Sequence, residues 1–251
     1  MQVALIQDTS ALDPVVNRER LARLCPAGAD LVVFPEAFAR DFGPAGSSVA
    51  AFAEPIEGPF ATEVAAVAAR RHTTIVAGMF ETSDDPRRPF NTLVTRGAAT
   101  VDYRKIHLYD SFGYRESDNL SPGALSPVTF ALGDVTVGLM TCYDLRFPEL
   151  SRRLVDLGAD VLVVPSAWVA GPRKVDHWLT LARARAIENT VYVVAAGQCG
   201  PRYSGHSVVV DPLGDILVEG GEDPVVLTAE LDLARVREAR ETNPSLANRR
   251  L

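Results

Sequence analysis

The chain has 251 residues, of which 47% are hydrophobic and 23% charged, and its formal net charge is −7. This composition is ordinary for a folded globular protein, and an acidic chain without a basic stripe argues against nucleic acid as a partner. No apolar run approaches the roughly 18 residues of a membrane helix, and the opening letters MQVALIQD predict a strand instead of a signal peptide.

The hydrophobic periodicity divides the chain into two similar halves. The first half predicts a strand at 3–7, a helix at 14–25, a strand at 30–35, a helix at 60–71 and strands near 73–79, 91–95 and 99–104. The second half predicts a strand at 135–141, a helix at 148–157, a strand at 160–165, a helix at 174–188 and strands near 190–196, 206–211 and 225–231. Both halves therefore run β-α-β-α-β-β-β.

The octets at 28–35 and 158–165 share the pattern G-A-D-x-x-V-x-P, which supports the division into two halves. Each half has a sheet face to cover, and packing sheet on sheet with helices outside achieves this. We therefore expect a single α/β domain over residues 1–251, a four-layer αββα sandwich with an internal pseudo-twofold. Residues 110–127 are too long for a plain connector, and loops of that length are often functional. The tail from Glu241 to Leu251 predicts an irregular arm.

Cys142 follows the strand 135–141 and precedes a helix that Pro148 opens and Gly158 closes. Backbone amides and the helix dipole at such a strand-to-helix turn favour a thiolate and can hold an oxyanion. The alternative is a small residue that fills the core, as we expect for Cys25 and Cys199. Three cysteines without a C-x-x-C pair argue against disulfides and a cysteine zinc site, and a reducing cytoplasm is the simplest location.

Two more charged residues follow predicted strands. Glu36 stands among apolar neighbours in V-F-P-E-A-F, and the loss of solvation there suits a general base. The alternative is a strand-end glutamate that faces solvent. Lys105, in Y-R-K-I-H-L, is either a solvated strand end or an ammonium that stabilises the oxyanion of a tetrahedral intermediate.

Together these motifs resemble the nitrilase (carbon–nitrogen hydrolase) superfamily. The matching segments are F-P-E-A at 34–37, Y-R-K-I-H-L at 103–108, R-E-S-D-N-L-S-P-G at 115–123, T-C-Y-D-L-R-F-P-E-L at 141–150, R-A-R-A-I-E-N-T-V-Y at 183–192 and G-H-S-V-V-V-D-P-L-G at 205–214. The sequence around Cys142 is most similar to that of the branch of omega-amidases and deaminated-glutathione amidases.

The resemblance implies a role for each matched residue. Cys142 matches the nucleophile, Glu36 the general base, Lys105 the oxyanion-stabilising lysine and Glu116 a second glutamate beside them. The backbone N–H of Tyr143 is the expected second oxyanion donor. The family also implies the αββα fold, no metal or other cofactor, and dimers whose C-terminal arms often cross the interface.

Arg146 lies four residues after Cys142, where a guanidinium could bind a substrate carboxylate in a bidentate manner. The alternative is a structural ion pair with Glu149 or Asp144. The histidines at 107, 177 and 206 are scattered, which favours packing or loop-tying roles over a Cys/His pair.

These observations predict cysteine-dependent hydrolysis of a small carboxylate-bearing amide to its acid and ammonia. The same four catalytic residues also suit an N-carbamoyl amino-acid hydrolase or a nitrilase. A non-catalytic binding protein on this scaffold is the alternative of another class.

Overall fold

The computed structural model describes residues 1–250. The first half contains β1 (Gln2–Gln7), α1 (Pro14–Leu24), β2 (Leu31–Val33), α2 (Pro59–Arg71), β3 (Thr74–Glu81), β4 (Phe90–Arg96) and β5 (Val101–Arg104). A short hairpin of β6 (Asp110–Ser111) and β7 (Tyr114–Arg115) follows. The second half contains β8 (Thr129–Leu132), β9 (Val135–Leu139), α3 (Pro148–Asp156), β10 (Val161–Val163), α4 (Lys174–Asn189), β11 (Tyr192–Ala195), β12 (Val208–Val210), β13 (Ile216–Glu219), β14 (Val225–Glu230) and α5 (Leu233–Thr242).

The long strands form two six-stranded sheets. The order is β14-β1-β2-β3-β4-β5 in the first sheet and β13-β12-β11-β10-β9-β8 in the second. In each sheet the three central strands are parallel, and the strands outside them are antiparallel to their neighbours. Strands β2, β3, β10 and β11 are buried throughout, as expected for strands that are covered on both faces.

The two sheets pack face to face with helices outside. Leu5 of β1 and Val33 of β2 belong to the same buried cluster as Leu139 of the second sheet. The alternate residue Ile6 belongs to another cluster, with Val64 of α2 and the buried face of α1. On the far side, α3 and α4 pack against the second sheet. The structure thus confirms the predicted four-layer αββα sandwich.

The pseudo-twofold relates the two sheets, but the prediction that the segment 225–231 belongs to the second half is wrong. The segment 225–231 was predicted to end the second half, whereas β14 pairs antiparallel with β1, from Gln2 opposite Glu230 to Gln7 opposite Val225. In the second sheet, the corresponding edge strand is β8, which pairs antiparallel with β9. The sequence pattern predicts that β14 is a strand but carries no information on its partner.

Five elements were not predicted at all: the hairpin strands β6 and β7, the strands β8 and β13, and the helix α5. Helix α5 includes Glu241 and Thr242, so the irregular tail begins at Asn243, two residues later than expected. The predicted start and end of α3 are confirmed, because Pro148 is its first residue and Gly158 adopts a φ of 94° just beyond it. None of the helices among residues 1–250 is both long and apolar enough to cross a membrane.

The loop 110–127 closes over the end of β5. It contains the β6–β7 hairpin and a 3₁₀ turn at Glu116–Asp118. Gly123 allows the close approach, since a Cβ atom there would lie 2.2 Å from the carbonyl oxygen of Arg104. The same loop places Glu116 beside Lys105, the residue that follows β5.

Candidate active site

Lys105 lies between two carboxylates in the interior of the protein. Its Nζ is 2.9 Å from Oε1 of Glu36 and 2.9 Å from Oε2 of Glu116, and all three side chains are at most 2% exposed. Burial alone would lower the pKa of Lys105, but the charges of Glu116 and Glu36 outweigh it and raise that pKa well above the usual range. The ammonium is therefore charged, and it can stabilise a developing oxyanion.

Glu36 is held by side chains of the first sheet and by a backbone N–H that follows a strand of the second sheet. Its Oε2 accepts a hydrogen bond of 2.7 Å from the N–H of Ala167, and its Oε1 accepts one of 2.7 Å from Nδ2 of Asn91. The next residue, Ala37, has a φ of 53°, a left-handed conformation that is rare for a side-chain-bearing residue. Gly78 makes room for this turn, because a Cβ atom there would lie 2.4 Å from the Ala37 nitrogen. The Glu36 side chain thus faces the interior and not solvent.

Glu116 completes the charged cluster. Its Oε2 accepts a hydrogen bond of 2.6 Å from the N–H of Tyr109, and its Oε1 is 3.2 Å from Nδ2 of Asn91. Burial raises the pKa of Glu116, against the opposing effect of the Lys105 charge. Asn91 donates to both glutamates, so it fixes their spacing around the ammonium.

Cys142 begins a 3₁₀ turn, Cys142–Arg146, which is separated from the end of β9 by two residues. It has a φ of 47° and is 7% exposed. Burial, followed by the negative charge of Glu36, raises the pKa of this thiol well above its ordinary value. The expectation that the turn favours a thiolate is therefore wrong for the resting site, because desolvation and the neighbouring carboxylate outweigh the turn amides.

The amides of the turn show which donor remains for an oxyanion. The N–H of Cys142 donates to the carbonyl of Pro165 at 3.0 Å, and that of Asp144 donates to the carbonyl of Thr141 at 2.9 Å. The N–H of Tyr143, between them, has no acceptor within residues 1–250. The predicted oxyanion donor is thus unoccupied and stands next to the thiol.

Asp144 ties the turn to the end of β5. Its Oδ2 accepts hydrogen bonds from the Tyr103 hydroxyl at 2.7 Å and from the Thr141 N–H at 2.9 Å. Its Oδ1 lies 3.1 Å from the N–H of His107 and 2.7 Å from Nδ1 of that residue. This fully buried carboxylate therefore links the segment that carries Lys105 to the segment that carries Cys142. His107, which also stacks on Phe147, has the loop-tying role predicted for it.

Arg146 forms neither of the ion pairs considered for it. Its guanidinium lies 5.0 Å from the centre of the Trp168 ring, and Nη2 is 3.4 Å from Nδ1 of His177. Its Nε is buried and has no hydrogen-bond partner within residues 1–250. No carboxylate of the described residues lies within 4.0 Å of this side chain, so its charge is free to bind an anion.

Sequence reasoning missed three groups of the site: Asn91, the N–H of Ala167 and the N–H of Tyr109. Asn91 reaches the cluster because its strand, β4, pairs with β5, and its carbonyl accepts from the N–H of Lys105 at 2.8 Å. Pairing between strands could have suggested Asn91. The two backbone donors carry no sequence signal.

The remaining candidates lie apart from this cluster. His206 pairs with Glu219 at 2.8 Å, and Cys25 and Cys199 are buried and free. Among residues 1–250, no group of three or more His, Cys, Asp and Glu side chains is placed to hold a metal ion.

The αββα sandwich, with a cysteine, a lysine and two glutamates gathered at its strand ends, has the fold and the residue set of a thiol-dependent hydrolase. The carbon-nitrogen hydrolase family model matches residues 2–241, and the chain belongs to this family.

Several relatives of the chain are known. It is 40% identical over 241 residues to a deaminated glutathione amidase of Escherichia coli O157:H7, covering 93% of this chain and 91% of that protein. It is 39% identical over 271 residues to a protein of Mycobacterium tuberculosis named only as a hydrolase, and the match covers 99% of this chain and 95% of that protein. A CN-hydrolase superfamily protein of Xanthomonas campestris, solved with an arsenic adduct in its active site, superimposes with a TM-score of 0.89 at 28% identity, covering 100% and 97%.

Proposed function

We propose that this protein is an amidase that hydrolyses small linear amides through a thioester on Cys142. The observation that carries the proposal is the buried Glu36–Lys105–Glu116 cluster beside the buried thiol of Cys142. It supplies a base, an oxyanion-stabilising cation and a nucleophile within one water-poor site. Membership of the carbon-nitrogen hydrolase family and the amidase name of the E. coli relative support the same reaction class.

In the first half of the reaction, Glu36 removes the thiol proton as the sulfur of Cys142 attacks the amide carbonyl. The carbonyl oxygen becomes an oxyanion, which Lys105 and the N–H of Tyr143 stabilise. Glu36 then returns the proton to the nitrogen, the C–N bond breaks, and ammonia leaves. A thioester between the acyl group and the sulfur remains.

In the second half, Glu36 takes a proton from a water molecule as its oxygen attacks the thioester carbonyl. A second tetrahedral intermediate forms, which carries the hydroxyl from water; the C–S bond breaks, and the sulfur recovers its proton from Glu36. The acid product is released, and the thiol of Cys142 is restored. Glu36 needs a fixed position in both halves, and the donors Ala167 N–H and Asn91 Nδ2 provide it.

Glu116 is assigned to the charge balance of the site. Lys105 must remain an ammonium while Glu36 changes between its charged and neutral forms. The second carboxylate keeps a negative charge against the ammonium when Glu36 is protonated. Glu116 is therefore a positioning residue for Lys105 in this mechanism.

Arg146 is assigned to binding the end of the substrate opposite the scissile amide. Its guanidinium has no carboxylate partner within the described residues, and it lies four residues beyond the nucleophile. A guanidinium binds a carboxylate in a bidentate manner, which orients a substrate as well as attracting it. The proposed substrates are thus half-amides of short dicarboxylic acids, such as succinamate and glutaramate.

An ammonia-release screen tests this function. The purified protein and its Cys142→Ala variant would be incubated with half-amides, neutral amides, nitriles and N-carbamoyl amino acids, with and without a chelator. Release from half-amides by the unmodified protein alone supports the proposal. Greater activity on N-carbamoyl amino acids or on nitriles would favour a carbamoylase or a nitrilase, and no activity on any class would favour a binding protein.

We also infer a homodimer or higher homo-oligomer, and a cytoplasmic location. Leu157 after α3 and Ile187 on α4 are exposed apolar side chains on two helices that pack against each other, and such surface is often covered by a second copy. Three free, buried cysteines suit a reducing compartment. Sedimentation equilibrium and cell fractionation test these two inferences, and a monomer or an exported protein would contradict them.

A further inference from the structure

Lys174, the first residue of α4, lies beside Arg146 in an aromatic enclosure. Its Nζ donates to the Tyr109 hydroxyl at 3.0 Å and lies 3.9 Å from the centre of the Phe112 ring and 5.9 Å from that of Trp168. The Nε1 of Trp168 donates to the Lys174 carbonyl at 2.9 Å, which fixes the start of the helix against the ring. The ammonium is therefore held in place by groups that carry no formal charge.

The charges around Lys174 are unbalanced. Burial, followed by the positive charge of Arg146, lowers the pKa of Lys174. No carboxylate of residues 1–250 lies within 4.0 Å of Nζ. Two cations thus share the Trp168 ring within electrostatic reach of the nucleophile, and neither has an anionic partner.

The adjacent residue shows that this arrangement is specific to Lys174. Arg173, which precedes the first residue of α4, has a φ of 60°. It is 75% exposed and pairs with Asp176 at 2.7 Å. Of two neighbouring cations, Arg173 is thus exposed and paired, and Lys174 is partly buried and unpaired.

We propose that Lys174 is a second anion-binding residue of the active site, which acts with Arg146 to hold the carboxylate of an acyl group bound at Cys142. This inference rests on the proposed function and specifies its substrate class. The guanidinium of Arg146 supplies the planar, orienting contact, and the ammonium of Lys174 adds a point charge. The aromatic rings cover part of both side chains, and this partial burial strengthens their attraction for a carboxylate. Neutral amides of the same length gain nothing from Lys174.

Two substrates of equal length separate this role from a structural one. Glutaramate carries a carboxylate at its far end, and glutaramide carries a neutral carboxamide in the same place. Lys174→Met removes the charge and keeps most of the length, Lys174→Arg keeps the charge, and Arg173→Met is the matched control. We expect Lys174→Met to raise KM for glutaramate roughly 10-fold or more, the loss of one charge-assisted contact, with kcat within about twofold. KM for glutaramide should stay unchanged, and Lys174→Arg should retain the preference for glutaramate.

The possible failures are distinguishable. If the unmodified protein shows no preference for glutaramate over glutaramide, the carboxylate-bearing substrate class is wrong. If the preference exists and Arg146→Met removes it but Lys174→Met does not, only the role of Lys174 is wrong. Equal losses on both substrates in Lys174→Met would assign Lys174 to holding Tyr109 and Phe112 in place and would overturn the inference. A second variant, Lys174→Gln, repeats the measurement if Lys174→Met is unstable in thermal unfolding.

Discussion

The Cys142 thiol is buried beside the Glu36 carboxylate, and both surroundings disfavour its ionised form. A thiol whose pKa is raised well above its usual value carries its proton near neutral pH. Attack on a carbonyl then needs a base that removes the proton while the new bond forms. Glu36 fits this task because Ala167 and Asn91 fix its two oxygens.

The rate of Cys142 alkylation in the Glu36→Gln variant tests this proton transfer, because a preformed thiolate and a general base predict opposite changes in that rate. Loss of the negative charge lowers the pKa of the thiol, so a preformed thiolate would react faster in the variant. If Glu36 acts as the base, alkylation of Cys142 by iodoacetamide at pH 7 should instead slow roughly 10-fold or more. Peptide mapping over time measures this rate, and labelling of Cys25 and Cys199 in the same samples is the control. Faster labelling of Cys142 would contradict the general-base role.

The ammonium of Lys105 is expected to contribute to the chemical step. Lys105→Met should lower turnover by roughly 10²-fold or more, because a charge aimed at the oxyanion is lost. The matched control is Arg104→Met, whose guanidinium is half-exposed and pairs with Glu81. Ammonia release under saturating substrate measures both variants. Near-normal turnover in Lys105→Met would remove the lysine from the mechanism.

At this scale, part of the site could be predicted from the sequence. Glu36, Lys105 and Cys142 each follow a predicted strand, and that position marked them as candidates. Glu116 carries no such signal, because it lies in a loop. Its role is predicted only by the resemblance to the family. The thiol's protonation could not be predicted, since it depends on burial and on the distance to Glu36, which are properties of the folded chain.

At the scale of elements, the turn Cys142–Arg146 is joined to β5 by Asp144. Each carboxylate oxygen faces two nitrogen or hydroxyl groups, from Tyr103 and Thr141 on one side and from His107 on the other. An asparagine side chain in this place would point its NH₂ group at the donors on one of the two sides.

Asp144→Asn is therefore expected to destabilise the protein by roughly 2–4 kcal/mol, the range for a buried donor left without an acceptor and a lost charge-assisted network. Urea unfolding measures the change. Asp118→Asn is the control, since Asp118 is 66% exposed and pairs only with Arg115. A change below about 0.5 kcal/mol in Asp144→Asn would show that this carboxylate does not hold the turn.

The close approach of β3 to the Glu36 turn gives a second prediction at this scale. A Cβ atom at Gly78 would lie 2.4 Å from the Ala37 nitrogen and 2.7 Å from the Glu36 Cα. Gly78→Ala should displace Glu36 and abolish most ammonia release, with a lower melting temperature. Gly221→Ala is the control, because nothing lies within 4 Å of a Cβ there. Equal activity in the two variants would show that the turn tolerates displacement.

Element types were predicted better than their partners. Helix α3 could be placed from Pro148, its leucine spacing and Gly158. Strand β14 could be recognised, but its pairing with β1 joins residues from opposite ends of the chain. A local pattern holds no information on such a contact. Strands β8 and β13 lie at the two edges of the second sheet, and most of their residues are exposed or only partly buried, so neither shows a clear alternation of buried and exposed positions.

At the scale of the whole molecule, the site exists only where the two sheets meet. Glu36 and Lys105 follow strands of the first sheet, whereas Cys142 and Ala167 follow strands of the second. The predicted αββα layering already required these strand ends to come together. The hydrogen bond from Ala167 to Glu36 shows how directly they do so, because it joins residues 131 positions apart.

The central claim is that Cys142 carries an acyl group during amide hydrolysis. Hydroxylamine tests it, since this nucleophile converts a thioester to a hydroxamate while ammonia is released. With glutaramate and hydroxylamine, the unmodified protein should release ammonia and form the corresponding hydroxamate, and Cys142→Ala should do neither. Ammonia release without any hydroxamate, or turnover that persists in Cys142→Ala, would contradict the account.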